Sequence, residues 1–166
     1  MKRMMTGAVS AILMISACAF AANEAAPSPV PVAKSIAIVA MGPVEQAMVD
    51  RVLAFAKENS SLVIRLLPSL EATGDTLDDI AVAGAKAMGA DDAAVIVLAN
   101  PSADIKPHGI FQPEQRVAVV NVKSLKPADG DAETWGRRIE REVMQSIGML
   151  VGAPPCPNQQ CAMWQY

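Results

Sequence analysis

The stretch Ser35-Ile36-Ala37-Ile38-Val39-Ala40-Met41, closed by Gly42-Pro43, decides the fold. An apolar run this short, with no polar alternation, reads as a strand buried on both faces, as in parallel sheets covered by helices. The residues beyond it agree with that. Val44, Ala47, Met48, Val52, Phe55 and Ala56 recur at helical spacing, which predicts a helix with Pro43 in its first turn and Asn59-Ser60 at its end. Residues 61–67 read as a second strand, stopped by Pro68. Asp75 or Thr76 then caps a helix whose buried stripe is Leu77, Ile80, Ala81, Gly84, Ala85 and Met88, with Gly89 as its exit. Ala94-Val95-Ile96-Val97-Leu98 is the third strand.

Beyond it lies a loop with Pro101, Pro107 and the sole histidine, His108, then a short edge strand over Gly109–Gln112 and a Val-rich strand over 115–123. Asp131 opens a long helix carrying Trp135, Ile139, Val143, Ile147 and Leu150 at helical spacing. Strands alternating with helices imply an α/β fold: a three-layer arrangement around a mixed, mainly parallel sheet of four to five strands. The segment 109–123 is the part that can run antiparallel, as a hairpin or edge addition.

Toward the N-terminus, residues 22–34 hold Pro27, Pro29 and Pro31 among small residues, a semi-rigid tether. Residues 1–21 have the layout of a secretory signal: Lys2 and Arg3, an uncharged apolar run from Met4 to Phe20, then small residues. Two cleavage readings stand side by side. Ala19-Phe20-Ala21 suits ordinary signal peptidase, whereas Ile15-Ser16-Ala17-Cys18 resembles a bacterial lipobox that would make Cys18 a lipidation site. The expectation is an exported protein of the periplasm or cell envelope, reaching a membrane only through a lipid anchor at Cys18.

About 145 residues then remain, which suits one domain, over 35–166, with a single hydrophobic core. Lys2 and Arg3 leave with the signal, so 14 basic residues become 12 against 17 acidic ones, a net charge near −5. That balance argues against nucleic acid as a partner, because phosphate binding relies on clustered Lys and Arg. Cys156 and Cys161 are the only cysteines left in the domain, and in an oxidising compartment they are expected to form a disulfide.

Several common chemistries find no support. Met41-Gly42-Pro43-Val44 after the first strand lacks both the dinucleotide and the triphosphate glycine patterns. No serine lies in a G-x-S-x-G elbow. Cys156 and Cys161 lack the two-residue spacing of a thiol redox motif.

The C-terminal third is more specific. Glu142-Val143-Met144-Gln145-Ser146-Ile147-Gly148 leads to Cys156-Pro157-Asn158-Gln159-Gln160-Cys161-Ala162-Met163, and upstream stands Arg116-Val117-Ala118-Val119-Val120-Asn121-Val122-Lys123-Ser124-Leu125. This resembles the archaemetzincin family of zinc metallopeptidases, whose pattern is H-E-x-x-H-x-x-G-x-x-H-C, then C-x-M and a later C-x-x-C. The resemblance implies a metzincin-like N-terminal subdomain. It puts the family's catalytic glutamate on Glu142, its helix-ending glycine on Gly148, two thiolates on Cys156 and Cys161, and its Met-turn methionine on Met163.

The departures fall on the metal ligands. The first histidine position holds Arg141, the second Gln145, and the third falls on Val151, or on Pro155 if four residues are inserted. A guanidinium is a permanent cation with no lone pair to offer. The later C-x-x-C has no counterpart before Tyr166, so the expectation is a domain truncated after its Met-turn. Without a metal, Glu142 cannot activate water as the family's glutamate does. It is then expected to be solvated or paired with Arg138, and Arg141, Gln145, Gly148 and Met163 to line a vestigial cleft. Zinc, the family's cofactor, is not expected, and the function expected is binding of an unknown protein or peptide partner. The alternative is a zinc-dependent peptidase with atypical ligands, for instance His108 with Cys156 and Cys161.

Overall fold

The computed structural model of the chain describes residues 34–163. The export segment with Cys18, the tether up to residue 33, and Trp164 and Tyr166 lie outside the described residues. The strands are β1 (Ser35–Met41), β2 (Ile64–Leu66), β3 (Asp92–Ala99), β4 (Gly109–Gln112) and β5 (Val117–Asn121). The helices are α1 (Gln46–Asn59), α2 (Leu77–Lys86) and α3 (Ala132–Leu150).

One sheet runs in the order β2-β1-β3-β5-β4, with every pairing parallel except β4 against β5. The uninterrupted apolar composition of β1 and β3 follows from its being covered twice. Ile36, Ile38 and Ala40 pack with α1 and α3, while Ala37, Val39 and Met41 pack with α2 on the opposite face. The fold is therefore three-layered, helix pair over sheet over single helix, as the alternation of elements implies.

Element ends differ from the periodic expectation where side chains take up backbone groups. α1 begins at Gln46, beyond Pro43, because Gly42 turns the chain with a φ of 80° and the Asn100 amide donates to the Pro43 carbonyl at 2.7 Å. Those contacts hold residues 42–45 as a strap across the ends of β1 and β3. α2 has the capping box of Thr76 and Asp79 but stops at Lys86, short of Gly89. Gly89 instead donates its N–H to the Asp92 carboxylate at 2.7 Å. The last strand is cut to Val117–Asn121 by a single 3-10 turn over Pro113–Gln115 and a left-handed Arg116, φ 56°.

Two ion-paired clusters fix the layers. Asp92, a buried residue, takes the Arg65 guanidinium, the Ser35 hydroxyl at 2.8 Å and the Gly89 amide, and these hold its carboxyl down at about 2. Arg51 of α1 donates to Glu133 at 2.6 Å and to Glu140 at 2.8 Å on α3. Gly136 makes room for that fork, since a Cβ there would run into the Arg51 guanidinium.

Candidate functional site

The candidate site is built on α3, whose orientation is fixed along its whole length. Its core stripe is Ile139, Val143 and Ile147. Asp131 caps it by accepting from the Thr134 N–H at 2.7 Å, the Trp135 indole donates to the Val122 carbonyl at 2.7 Å, and Arg138 donates to the Leu125 carbonyl at 3.3 Å. With that stripe inward, the helix presents different residues on its two flanks.

One flank carries Glu142, Gln145, Ser146 and Met149, at the i, i+3, i+4 and i+7 positions that share a face. They line a cleft of about 300 Å³ whose opposite wall is His108, Gly109, Ile110 and Phe111 at the start of β4, with Val119 on its floor. Glu142 is half-buried, and desolvation in this cleft pushes its carboxyl above the ordinary carboxylate range, against the opposing pull of His108 and Arg141. Arg138 is directed to the Leu125 carbonyl, so the expected pairing with Glu142 does not form, and Glu142 is not simply a solvated surface carboxylate.

The His108 wall is held from behind. Asn121, fully buried at the end of β5, donates to the carbonyls of Ile105 and Pro107 at 2.8 and 3.1 Å. Ser124, donating to the Asn121 carbonyl at 3.0 Å, stands 3.1 Å from His108 Nδ1. β4 is an edge strand. The Asn121 N–H donates to the His108 carbonyl at 2.7 Å, and alternation along the ladder then turns the peptide groups of Gly109 and Phe111 away from β5. Among the described residues no strand pairs with that outer side.

The other flank of α3 carries Arg137, Glu140, Arg141 and Met144, which face the C-terminal segment and Phe55. Arg141 donates through Nη2 to the carbonyls of Gln159 at 3.0 Å and Cys161 at 3.3 Å. Met163 lies against Gly148, where an added Cβ would collide with its sulfur. The Cys156 N–H donates to the Met163 carbonyl at 3.0 Å, which closes the segment into a loop under the helix.

The expected vestigial cleft is thus two places. Gln145 joins Glu142 at the β4 side, whereas Arg141, Gly148 and Met163 hold the C-terminal loop. Gly148 does not end the helix, as the resemblance implied: α3 continues to Leu150 and is closed by Gly152, φ 76°. Gly152 and Ala153 return their N–H groups to Met149 and Gly148 at 3.1 and 2.8 Å, a Schellman motif. Cys156 and Cys161 both belong to the C-terminal loop, half-buried and with free thiols. Sequence reasoning missed Ser146 and Met149, which the spacing from Glu142 would have flagged. It had no means to place Ile110 and Phe111 opposite them, because that juxtaposition depends on β4 folding back along β5.

No protein-family model and no curated protein sequence matches the chain. Its fold does have matches among solved structures. An archaemetzincin from Methanopyrus kandleri superposes with a TM-score of 0.61 at 17% identity, over 84% of this chain and 85% of that one. The chain has the archaemetzincin-like fold. A zinc-dependent peptidase from Methanocorpusculum labreanum gives a TM-score of 0.57 at 14% identity, over 78% of this chain and 87% of that one. An archaemetzincin from Archaeoglobus fulgidus, solved with malonate, gives 0.51 at 18% identity, over 78% and 85%. At these identities the likeness is one of fold.

The side chains that this archaemetzincin-like fold presents do not fit a catalytic zinc, which needs three lone-pair donors converging on one point and an open position. Arg141 and Gln145 stand four residues apart on the helix, and neither Val151 nor Pro155 has a donor side chain. The atypical set does not converge either. His108 is in the β4 cleft while Cys156 and Cys161 are on the C-terminal loop, and among the described residues no three His, Cys, Asp or Glu side chains come together.

Proposed function

We propose that this chain is an exported, non-catalytic archaemetzincin-like domain that binds a peptide or protein segment in the cell envelope. The observation that carries the reading is the cleft between α3 and β4, bordered by an unpaired strand edge. An extended peptide adding to that edge gains main-chain hydrogen bonds from the outward groups of Gly109 and Phe111 and drops alternate side chains into the cleft. The unsuited donor set argues against turnover of what is bound.

Export rests on the sequence of residues 1–21, with lipid attachment at Cys18 as one outcome. In the oxidising compartment that export implies, the Cys156 and Cys161 thiols, free in the structure, would be oxidised to a disulfide that stiffens the C-terminal loop. The rival, a zinc peptidase with atypical ligands, draws on one specific feature: Glu142 and His108 line the same cleft.

Fluorescence polarisation with a pool of short labelled peptides tests the proposal. Saturable binding without cleavage, lost in Ser146→Trp, which fills the cleft, is the expected result. Zinc-dependent cleavage of the pool, or absence of saturable binding, counts against it.

A further inference from the structure

Glu142 is the one carboxylate of the cleft, and among the described residues no ion pair holds it. Among the described residues neither Glu142, Gln145 nor Ser146 makes a side-chain hydrogen bond, although all three line the same concave surface. The basic side chains nearest in the fold make their hydrogen bonds to other groups. Arg141 donates to the C-terminal loop carbonyls, Arg138 donates to the Leu125 carbonyl, and His108 meets Ser124. None of them forms an ion pair with Glu142.

A half-desolvated carboxylate loses water without regaining a partner, and the group that restores the balance is a cation delivered by a ligand. Ionised, Glu142 only accepts hydrogen bonds. The Gln145 amide oxygen and the Ser146 hydroxyl add two acceptors beside it on the same helix face. Three acceptors on one helix face suit the three N–H donors of a primary ammonium better than the planar fork of a guanidinium. Phe111 and Met149 are the apolar side chains of the lining and suit the methylene stem of such a group, while Ile110 and Val119, whose side chains pack on the α2 face, border the cleft with their main chain. The volume of about 300 Å³ is at the lower end of ligand cavities, room for one side chain and not for a large ligand.

We infer that the cleft recognises a primary ammonium carried on a peptide, held by Glu142 with Gln145 and Ser146. This rests on the proposal that the domain binds peptides. The ammonium has two sources, a peptide's free N-terminus or a lysine side chain.

Calorimetric titration of the whole protein with three peptides of otherwise equal sequence separates them. One has a free N-terminus and no lysine, one is N-acetylated with a single internal lysine, and one is N-acetylated without lysine. The third is expected to bind at least about tenfold more weakly than the better of the first two, the loss of one charge-assisted contact. Whichever of the first two binds more tightly identifies the source. Glu142→Gln, which keeps the shape and removes the charge, is expected to abolish the preference, with an unchanged circular dichroism spectrum as the check on folding. Equal binding of all three peptides, or a preference that survives Glu142→Gln, overturns the inference and leaves peptide binding standing. Binding of none of them overturns both.

Discussion

Glu142 and Asp92 are two carboxylates that the fold treats in opposite ways. Burial in the cleft raises the Glu142 carboxyl above its ordinary value of 4.5. Its charged form is therefore penalised by folding. The penalty is absent below the unfolded value and complete once pH has risen through the folded one. Glu142→Gln is expected to melt higher than the wild type at neutral pH and at the same temperature near pH 4. A lower melting temperature at neutral pH would show that Glu142 has a stabilising partner. For Asp92, Arg65 first and then Gly89 and Ser35 lower the carboxyl from 3.8 to about 2, so its contribution is full above 3.8 and is lost as pH falls toward 2. That shift corresponds to about 2 kcal/mol. Asp92→Asn is expected to lose roughly that much at neutral pH and to flatten the acid limb of a denaturation series. An unchanged acid limb would mean that the Arg65 contact contributes nothing.

At the scale of elements, α3 is where one helix serves two partners, and Gly148 shows how. Replacing glycine with alanine in a helix gains about 1 kcal/mol of propensity. At Gly148 the added Cβ would also meet the Met163 sulfur, the movable end of a flexible side chain. The two effects oppose each other. Gly148→Ala is expected to leave global stability within about 1 kcal/mol while loosening the C-terminal loop. Limited proteolysis should then cut beyond residue 152 faster than in the wild type. An unchanged cutting rate would mean that Met163 does not anchor the loop.

The same helix shows how far the sequence could be read. Its core stripe and its Asp131 cap were legible, since periodicity and capping are local, whereas the flank grouping Glu142 with Gln145, Ser146 and Met149 was not read, Gln145 being grouped instead with Arg141, Gly148 and Met163. Its end was not legible, because Gly148 looks like an exit until the returning N–H groups of Gly152 and Ala153 are seen. The opposite wall at β4 was not legible either, and neither was the Asn121 support behind it. Both arise from residues distant in sequence that only the strand pairing brings together. β1 and β3 were the easiest elements to read, because a strand covered on both faces leaves a continuous apolar run.

For the whole molecule, a sheet with helices on both faces sets α3 beside an antiparallel edge strand, and this is the archaemetzincin-like arrangement. The side chains carried on that frame differ from the family's zinc-ligand pattern at Arg141 and Gln145. Arg141 spends its guanidinium on the loop carbonyls, and Gln145 turns to the β4 cleft with Glu142. Where the protein resides depends on its first residues. If the lipobox is used, Cys18→Ser is expected to move it from the membrane to the soluble fraction on cell fractionation. A wild type already soluble would assign release to ordinary signal peptidase at Ala19-Phe20-Ala21. The proposal that this domain holds no catalytic metal is tested most directly by elemental analysis of protein purified without chelators from zinc-replete cells. Zinc far below one atom per chain is expected; one tightly held zinc per chain would mean that the domain has kept a metal site after all.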